Sequence, residues 1–209
     1  MIDYWNSSSQ KMISAFFDHM QLVFISLAIA FVLAIVIVFL FINYDRWLGR
    51  LVYFFSALYS VPSFAMFALL IPLTGLGTTS AIIVLVLYSE YILLRTFIIG
   101  IKEIDPMIIE SAVAMGMTTK ELFFRIQLPL ASKSIFSGVR LALTSIIGIE
   151  TIAATINAGG LGTIMFDGLR RQSLPIMLWG TLLTVLLTVL SNALLKIIEK
   201  ISLRNLELD

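Results

Sequence analysis

The chain has 209 residues, of which 59% are hydrophobic and 13% are charged, and its mean hydropathy is +1.01. Ordinary globular chains carry about 25% charged residues, and a water-soluble core cannot hold this much apolar surface. The net charge of +1 does not favour nucleic-acid binding, because the basic residues are spread along the chain rather than gathered in one patch. The absence of cysteine excludes disulfides and thiolate metal sites.

The N-terminal segment, residues 1–21, precedes the first apolar stretch and contains the single histidine, His19. It lacks a basic leader, and the apolar run after it is longer than a signal-peptide core. We therefore expect a retained segment that forms an amphipathic helix leading into the membrane. His19 is interpreted as packing at the membrane interface, with a functional role as the alternative.

Five stretches are long enough to cross a bilayer, which takes about 20 apolar residues. They are residues 22–42, 51–71, 81–101, 135–156 and 175–195. Pro62 lies inside the second stretch and is expected to kink that helix or open it locally. Whether such a break serves transport or only packing is open at this point. The pattern predicts an all-α membrane protein with about five transmembrane helices.

The basic residues predict the orientation of these helices. With the N-terminus outside, ten of the 14 Lys and Arg residues fall in inner segments and three in outer ones, while Arg95 lies near the inner end of its helix. Cytoplasmic flanks of membrane helices collect positive charge. We therefore expect the N-terminus outside and the C-terminus in the cytoplasm.

Charged residues interrupt the third and fourth predicted spans. Glu90 and Arg95 lie in the third, and Arg140 and Glu150 in the fourth. An ionised carboxylate inside a bilayer costs about 3 kcal/mol, so it is expected to face water or a cation. Glu90 or Glu150 could line a solute path, could pair with Arg95, or could be a protonated residue without a role. A pair with Arg95 could form across helices at least as readily as within one helix. Five residues separate Glu90 from Arg95, which puts them about 7.5 Å apart along the axis and on different faces.

Between these two spans, residues 102–134 form a polar loop with two short helical patterns. Pro106 suits the first turn of one helix, and Thr118 or Thr119 can cap the other. Gly116 separates them and permits a backbone conformation that other residues resist. The loop is therefore predicted to contain two short helices that meet at an angle.

Pro129 is expected to end the second short helix before the fourth span begins. Two short helices on a membrane face leave Ile, Met, Leu and Phe side chains exposed, and such a surface requires a partner in water. The alternative is a loop that packs only beneath its own helical bundle.

The spacing of residues in this loop resembles the signature of ABC-importer permeases. That signature has a Glu-Ala-Ala group, a glycine four positions later, and an Ile-x-Leu-Pro group after nine more residues. This chain has serine for the first alanine and matches otherwise. In that family the loop docks on the ATP-hydrolysing subunit as a coupling helix. The resemblance implies ATPase coupling for eight residues: Glu110, Ser111, Ala112, Gly116, Met117, Ile126, Leu128 and Pro129.

Three further stretches, residues 61–77, 87–95 and 137–162, resemble glycine betaine/carnitine/choline importer permeases. The likeness covers roughly residues 20–195. It implies the fold of a type I ABC importer permease in a bacterial-type inner membrane, and import of a quaternary-ammonium osmoprotectant.

On this interpretation the chain is divided into three parts. An extracytoplasmic N-terminal segment, residues 1–21, precedes a single transmembrane permease domain, residues 22–198. A cytoplasmic tail, residues 199–209, follows.

A translocation path is predicted from polar, aromatic and glycine residues. Tyrosine rings attract quaternary ammonium groups, and closely spaced glycines permit a tight re-entrant turn where protein or water satisfies the backbone. The resembled permeases carry uncharged residues where this chain has its two intramembrane glutamates, so the family assigns those glutamates no role. The path residues are Glu90, Glu150, Tyr88, Tyr91, Asn157, Gly159, Gly160 and Gly162.

Tyr53, Tyr59 and Phe64 could also contact a quaternary ammonium group. No spacing singles out an aromatic cage, and interfacial belts and helix packing recruit the same residue types. The alternative for each aromatic residue is therefore a packing role.

The chain has neither a Walker-type phosphate loop nor an arrangement of catalytic side chains. We therefore expect a transport subunit that is not an enzyme and binds no cofactor or metal, with ATP and Mg²⁺ on a separate ATPase subunit. The expected partners are ABC ATPase subunits, a second permease subunit of the same or a similar chain, an extracytoplasmic solute-binding protein or domain, and the lipid bilayer, with no nucleic acid.

Two alternatives remain open from the sequence. One is a permease for methionine or another small solute, since such permeases share the loop signature and a Gly-Gly-Leu-Gly segment. The other is a secondary transporter that uses Glu90 and Glu150 for proton coupling. The second would be favoured by inverted repeats, which the two halves of the chain do not show.

Overall fold

The computed structural model describes residues 2–206 of the chain, and the side chains of residues 4–204. Residue 1 of the predicted N-terminal segment and residues 207–209 of the predicted tail lie outside the described residues. The described elements are α1 (Ile2–Phe41), α2 (Asp45–Ser60), α3 (Ser63–Thr74), α4 (Thr78–Lys102), α5 (Pro106–Ala114), α6 (Thr119–Leu122), a π-helical turn (Phe123–Gln127), α7 (Leu128–Leu130), α8 (Ser132–Ala153), a 3₁₀ turn (Ala154–Ile156), α9 (Gly162–Arg170) and α10 (Leu174–Leu206).

Four of these helices, α1, α4, α8 and α10, are long and apolar enough to cross a membrane. Lipid offers no hydrogen bonds to the backbone, so an apolar stretch satisfies its own N–H and C=O groups by forming a helix. The first, third, fourth and fifth predicted spans are therefore confirmed as helices. Each of the four helices begins before its apolar stretch, and α4 and α10 also extend beyond the end of theirs, because polar residues there continue the same helices.

The second predicted span is not one straight helix. α2 and α3 are bent by 101° at the break between them, so the chain has four candidate spans, or five if this bent pair counts as one. Val61 is extended, with ψ 133°, as expected for a residue that precedes a proline. Pro62 follows with ψ 131° before α3 begins. The expected break at Pro62 is confirmed, and it is larger than a kink.

The N-terminal segment and the first span form one continuous helix of 40 residues. Helix α10 likewise runs through residue 199 without interruption and ends at Leu206. The predicted boundaries at residues 21 and 199 thus coincide with no break in helical structure. The reason is local: no proline or glycine lies near either boundary to interrupt the helix.

Helix α4 lies at the centre of the bundle, where it packs against both α1 and α8. Fully buried side chains on α4 include Leu85, Leu93 and Leu94, and α8 supplies Leu143 and Ile146. This core fixes the two ends of α8 in space. Its start follows the polar loop, residues 102–134, and its end leads into the glycine-rich residues 157–162, so these two segments lie at opposite ends of the bundle.

Arg140 of α8 has its charge balanced by α10. Its Nη2 lies 2.8 Å from Oε2 of Glu199, and both side chains are mostly buried. This pair explains how a guanidinium is accommodated in the predicted fourth span. It also joins the start of α8 to the end of α10.

Candidate functional site

The polar loop, residues 102–134, is called the coupling loop below. Its first helix, α5, starts at a proline, and the Asp105 side chain caps it by accepting a hydrogen bond from the Met107 N–H at 2.9 Å. The helix ends at Ala114, and Gly116, two residues further on, turns the chain with φ +84°. The Met117 N–H then donates back to the Ala112 carbonyl at 3.2 Å, which is the pattern of a Schellman cap. The predicted start at Pro106 and turn at Gly116 are confirmed.

The second half of the coupling loop starts with a capping box. The Glu121 N–H donates to the Thr118 hydroxyl at 3.3 Å, and the Thr118 N–H donates to the Glu121 carboxylate at 3.0 Å. The hydrogen bond from the Thr118 backbone holds the pKa of Glu121 below its usual value. Thr118, not Thr119, is therefore the N-cap.

The prediction that Pro129 ends the second helix is wrong. Helical backbone continues through Pro129 to Leu130. A five-residue π-helical turn precedes it, and the Leu128 N–H bonds to the Phe123 carbonyl five residues back. Proline has no N–H and its ring crowds the preceding turn. The widened turn accommodates the proline without ending the helix.

The signature residues of the coupling loop differ in exposure. Ala112 is buried, Met117, Ile126, Leu128 and Pro129 are half-buried, and Glu110, Ser111 and Gly116 are exposed. Among the described residues Glu110 makes no hydrogen bond or ion pair, and the cap within the loop is the Thr118–Glu121 box.

An apolar surface of α5 faces outward from the bundle. Met107 is 71% exposed and Met115 is 73% exposed, and Ile108 and Val113 are also exposed. The loop is attached behind this surface by Phe123, which is 1% exposed and whose ring lies 5.1 Å from that of Phe39 in α1. The coupling loop is therefore fixed to the bundle while its outer surface remains available.

The two intramembrane glutamates do not contact Arg95. Arg95 donates from Nη1 to the Tyr91 hydroxyl at 2.8 Å. Glu90 is 1% exposed, and neither of its carboxylate oxygens has a hydrogen-bond partner among the described residues. The interpretation of Arg95 as a structural partner of Glu90 or Glu150 is therefore wrong for this conformation.

Glu150 instead contacts His19. Its Oε2 lies against Nδ1 of His19, and both side chains are fully buried. The Leu161 N–H also approaches Nδ1, at 3.3 Å. His19 therefore packs inside the bundle, and its position relative to the membrane interface stays a prediction.

The segment from Asn157 to Gly162, called the glycine turn below, closes over this pair. Asn157 is exposed, with φ +62°. A Cβ built on Gly160 would overlap the Glu150 carboxylate, and one built on Gly162 would overlap the Thr151 carbonyl. Two of these glycines are thus required by close approach, while Gly159 has Asp18 at 3.8 Å as its nearest neighbour.

Three tyrosines cluster beside the break in the second predicted span. The ring of Tyr59 lies 5.4 Å from that of Tyr88 and 5.0 Å from that of Tyr91. Tyr88 is buried and donates its hydroxyl to the Val61 carbonyl. The bend between α2 and α3 is therefore tied to α4. Tyr53 and Phe64 are exposed and lie outside this cluster.

The structure brings together residues that sequence reasoning kept apart. His19 and Glu150 are 131 positions apart, and the only signal for either was a polar residue within or beside an apolar stretch. No group of three or more His, Cys, Asp or Glu side chains that could hold a metal ion occurs in the described part of the chain.

The chain belongs to the family of binding-protein-dependent transport system inner membrane components, whose model matches residues 26–206. The carnitine transport permease protein OpuCD of Listeria monocytogenes is 30% identical over 201 residues, which cover 96% of this chain and 90% of that protein. The glycine betaine/carnitine/choline transport system permease protein OpuCD of Bacillus subtilis is 30% identical over 198 residues, covering 94% and 86%.

A longer relative matches only in part. The ergothioneine transport permease/ergothioneine binding protein EgtU of Helicobacter pylori is 37% identical over 142 residues, which cover 68% of this chain and 26% of that protein. Among solved structures, an inward-facing conformation of the MetNI methionine ABC transporter matches with a TM-score of 0.77 at 20% identity, covering 96% of this chain and 98% of that one. This likeness concerns the fold.

The chain is therefore a permease subunit of an ABC importer, with the all-α fold of type I permeases. It is an inner-membrane component of a transport system that also uses a binding protein, and it is a transport subunit rather than an enzyme. Membership of this family excludes the secondary-transporter alternative.

Proposed function

We propose that this permease imports quaternary-ammonium osmoprotectants of the glycine betaine, carnitine or choline type. The proposal is supported by the two OpuCD relatives, each of which matches more than nine-tenths of the chain. A cluster of tyrosine rings on α2 and α4 agrees with it, because aromatic rings attract quaternary ammonium groups.

The coupling loop is the proposed docking surface for the ATPase subunit. The observation that carries this assignment is its exposed apolar surface on a segment fixed from within by a Schellman cap, a capping box and Phe123. Exposed Met107 and Met115 would enter a groove of the partner. Glu110, which is exposed and unpaired within the described residues, would contact that partner directly.

The assignment of the eight residues to a translocation path remains a proposal, and these residues differ in how accessible they are to a solute. Tyr91 and Asn157 are accessible in this conformation. Glu90 and Glu150 are closed off from solvent, so they would meet a solute only after α4 and α8 separate from their neighbours. Ligand-driven helix movements of this kind are typical of transporters that alternate between two openings.

The proposed assembly contains two permease subunits, two ATPase subunits that hold ATP and Mg²⁺, and an extracytoplasmic binding protein. The coupling loop would face the cytoplasm, which places the glycine turn on the outer side. This orientation, with the N-terminus outside and the C-terminus inside, follows the distribution of Lys and Arg.

Purification of the tagged chain from its native membrane tests the proposal. We expect an ATPase and a solute-binding protein to be recovered with it, and the assembled complex to import glycine betaine, carnitine or choline when ATP is supplied. Methionine serves as the comparison solute. Uptake of methionine but none of the three quaternary-ammonium compounds would contradict the substrate assignment, and recovery of the chain without an ATPase would contradict the docking assignment.

A further inference from the structure

A cavity of about 300 Å³ lies where α2, α4 and α8 meet. Its volume is at the lower end of the range for small-molecule sites. The polar and aromatic groups in its lining are Tyr59 of α2, Tyr91, Arg95 and Thr96 of α4, and Ser145 of α8. This cavity is called the tyrosine–arginine cavity below.

Arg95 brings a positive charge to this cavity that no carboxylate balances. Its side chain is exposed, and within the described residues no Asp or Glu oxygen lies within 4.0 Å of it. Glu90 is five positions earlier on the same helix and is buried on another face. A guanidinium in a membrane-spanning helix is expected to face water, a polar cavity or an anion rather than lipid.

The direction of the Arg95 side chain agrees with this expectation. A long basic side chain near a helix end normally extends toward the nearer membrane surface, which for α4 lies toward Lys102. The guanidinium instead donates to the hydroxyl of Tyr91, one turn closer to the middle of the helix. Tyr91 thus holds the charge inside the cavity.

The aromatic rings of the cavity attract a cation, whereas Arg95 attracts an anion. The rings of Tyr59 and Tyr91 both line the cavity, and their centroids are 5.0 Å apart. The cation–π contact in the described residues is Arg50 over Trp47, so Arg95 does not cover either tyrosine ring. Tyrosine rings attract cations within about 6 Å. The cavity therefore offers attraction for a cation at the tyrosine rings and for an anion at the Arg95 guanidinium, which borders the Tyr91 hydroxyl.

We infer that the tyrosine–arginine cavity is a binding site in the permease for zwitterionic solutes that carry both a quaternary ammonium group and a carboxylate. The ammonium group lies against Tyr59 and Tyr91, and the carboxylate binds the Arg95 guanidinium, whose planar donors match a carboxylate. The inference rests on the proposed function and narrows it. Glycine betaine and carnitine satisfy both groups, whereas choline has no carboxylate to pair with Arg95.

Uptake by the assembled transporter in proteoliposomes tests this site. Every variant is assayed with the same ATPase and the same binding protein, so a changed preference between solutes arises in the permease. Glycine betaine and choline are compared for wild type and Arg95→Gln, and Arg204→Gln is the matched control because Arg204 is exposed and distant in sequence at the end of α10.

We expect Arg95→Gln to raise KM for glycine betaine about tenfold, the usual consequence of losing a charged hydrogen bond, and to change KM for choline less than twofold. Arg95→Lys should raise KM for glycine betaine by a smaller factor. If Arg95→Gln does not assemble, Arg95→Lys tests the zwitterion site in its place. Tyr59→Leu should raise KM for both solutes, whereas Tyr59→Phe retains the ring and should resemble wild type.

The possible outcomes distinguish failure of the proposed function from failure of the zwitterion site. If wild type imports none of glycine betaine, carnitine and choline, the proposed function fails. Only the zwitterion site is overturned if wild type imports choline but neither zwitterion, or if neither Arg95 variant raises KM for glycine betaine relative to KM for choline. Equal increases in KM for glycine betaine and choline would also overturn the zwitterion site. A purely structural role of Arg95 would affect a solute with a carboxylate and a solute without one alike.

Discussion

The coupling loop and the glycine turn lie at opposite ends of the same bundle and are stabilised by different kinds of contact. The coupling loop is shaped by neighbours in sequence: Asp105 caps α5, and Thr118 pairs with Glu121. The glycine turn is shaped by distant residues, because His19 and Glu150 fill the space beneath it. The comparison indicates that a segment held by local hydrogen bonds keeps its outer surface free for a partner, whereas one held by buried side chains is part of the core.

Substitutions should therefore affect stability at the glycine turn and coupling at the coupling loop. The largest expected effect is that of Gly162→Ala. Its Cβ would overlap a backbone carbonyl, that of Thr151, which cannot move away as a flexible side chain could. We expect a loss of about 3 kcal/mol or more, or about 10 °C in the midpoint of thermal unfolding in detergent.

Gly148→Ala is the control for this change, because a Cβ there meets nothing within 4 Å. It should leave the midpoint unchanged or raise it slightly, since alanine favours a helix more than glycine does. Equal midpoints for the two variants would show that the glycine turn is not packed as described.

The second prediction concerns the buried pair beneath the glycine turn. His19→Leu leaves the Glu150 carboxylate without its partner, and should lower the free energy of unfolding by about 2–3 kcal/mol. The double variant His19→Leu with Glu150→Leu should recover part of this loss, because the buried carboxylate is then gone, and only part because the Leu161 N–H still lacks its acceptor. A double-mutant cycle based on thermal unfolding measures the coupling, and strictly additive effects would contradict a direct contact.

The third prediction concerns coupling with a modest effect on stability. Gly116→Val forces a branched side chain into a backbone with φ +84°, although the space around it is open. We expect about 1–2 kcal/mol of strain, normal membrane insertion, and loss of ATPase recovery or ATP-driven uptake.

Gly49→Val is the matched control, since Gly49 also has open space around it but lies in helical backbone. It should retain both ATPase recovery and uptake. If Gly116→Val also retains both at wild-type levels, the coupling loop does not serve as proposed.

The smallest effect is expected at the capping box. Thr118→Ala should destabilise α6 by about 1 kcal/mol and accelerate amide hydrogen exchange over residues 119–127, with no effect at the glycine turn. Unchanged exchange over those residues would mean that the cap contributes nothing.

The same capping box should respond to pH. The folded-state pKa of Glu121 lies below its unfolded value, so its contribution to stability is present above the unfolded pKa, about 4.3, and is lost as pH falls through the folded value. Protection from exchange over residues 119–127 in wild type, measured relative to the intrinsic amide rate at each pH, should therefore fall below about pH 4, and Glu121→Gln should abolish that dependence.

The same contrast explains what the sequence could predict. Pro106, Gly116 and the Thr118 cap act on residues within a few positions, so their effects follow from local rules, and the structure agrees. The prediction for Pro129 used the local rule that a proline ends a helix. The neighbouring π-helical turn instead lets the helical backbone continue past this proline.

Long-range contacts were not accessible in this way. The contact between His19 and Glu150 depends on how α1 and α8 are rotated against each other, which spacing within one helix does not determine. The same limit applies to Arg95. Its guanidinium binds Tyr91 of the same helix, whereas the sequence alone indicated Glu90 or Glu150 as its partner. The candidate coupling residues were therefore predictable as a set, whereas the residues around the buried carboxylates were not.

The length of α1 has a mechanical consequence. Trp5 stacks on Trp179 of α10 near one end, and Phe39 packs on Phe123 of the coupling loop near the other. Trp5 and Phe39 are 34 positions apart in an uninterrupted helix, so these contacts are about 50 Å apart. A tilt of only about 5° about one contact would displace the other by roughly 4 Å. Helix α1 is thus a rigid lever, through which a small rotation at the coupling loop produces a displacement on the scale of a solute at the far end.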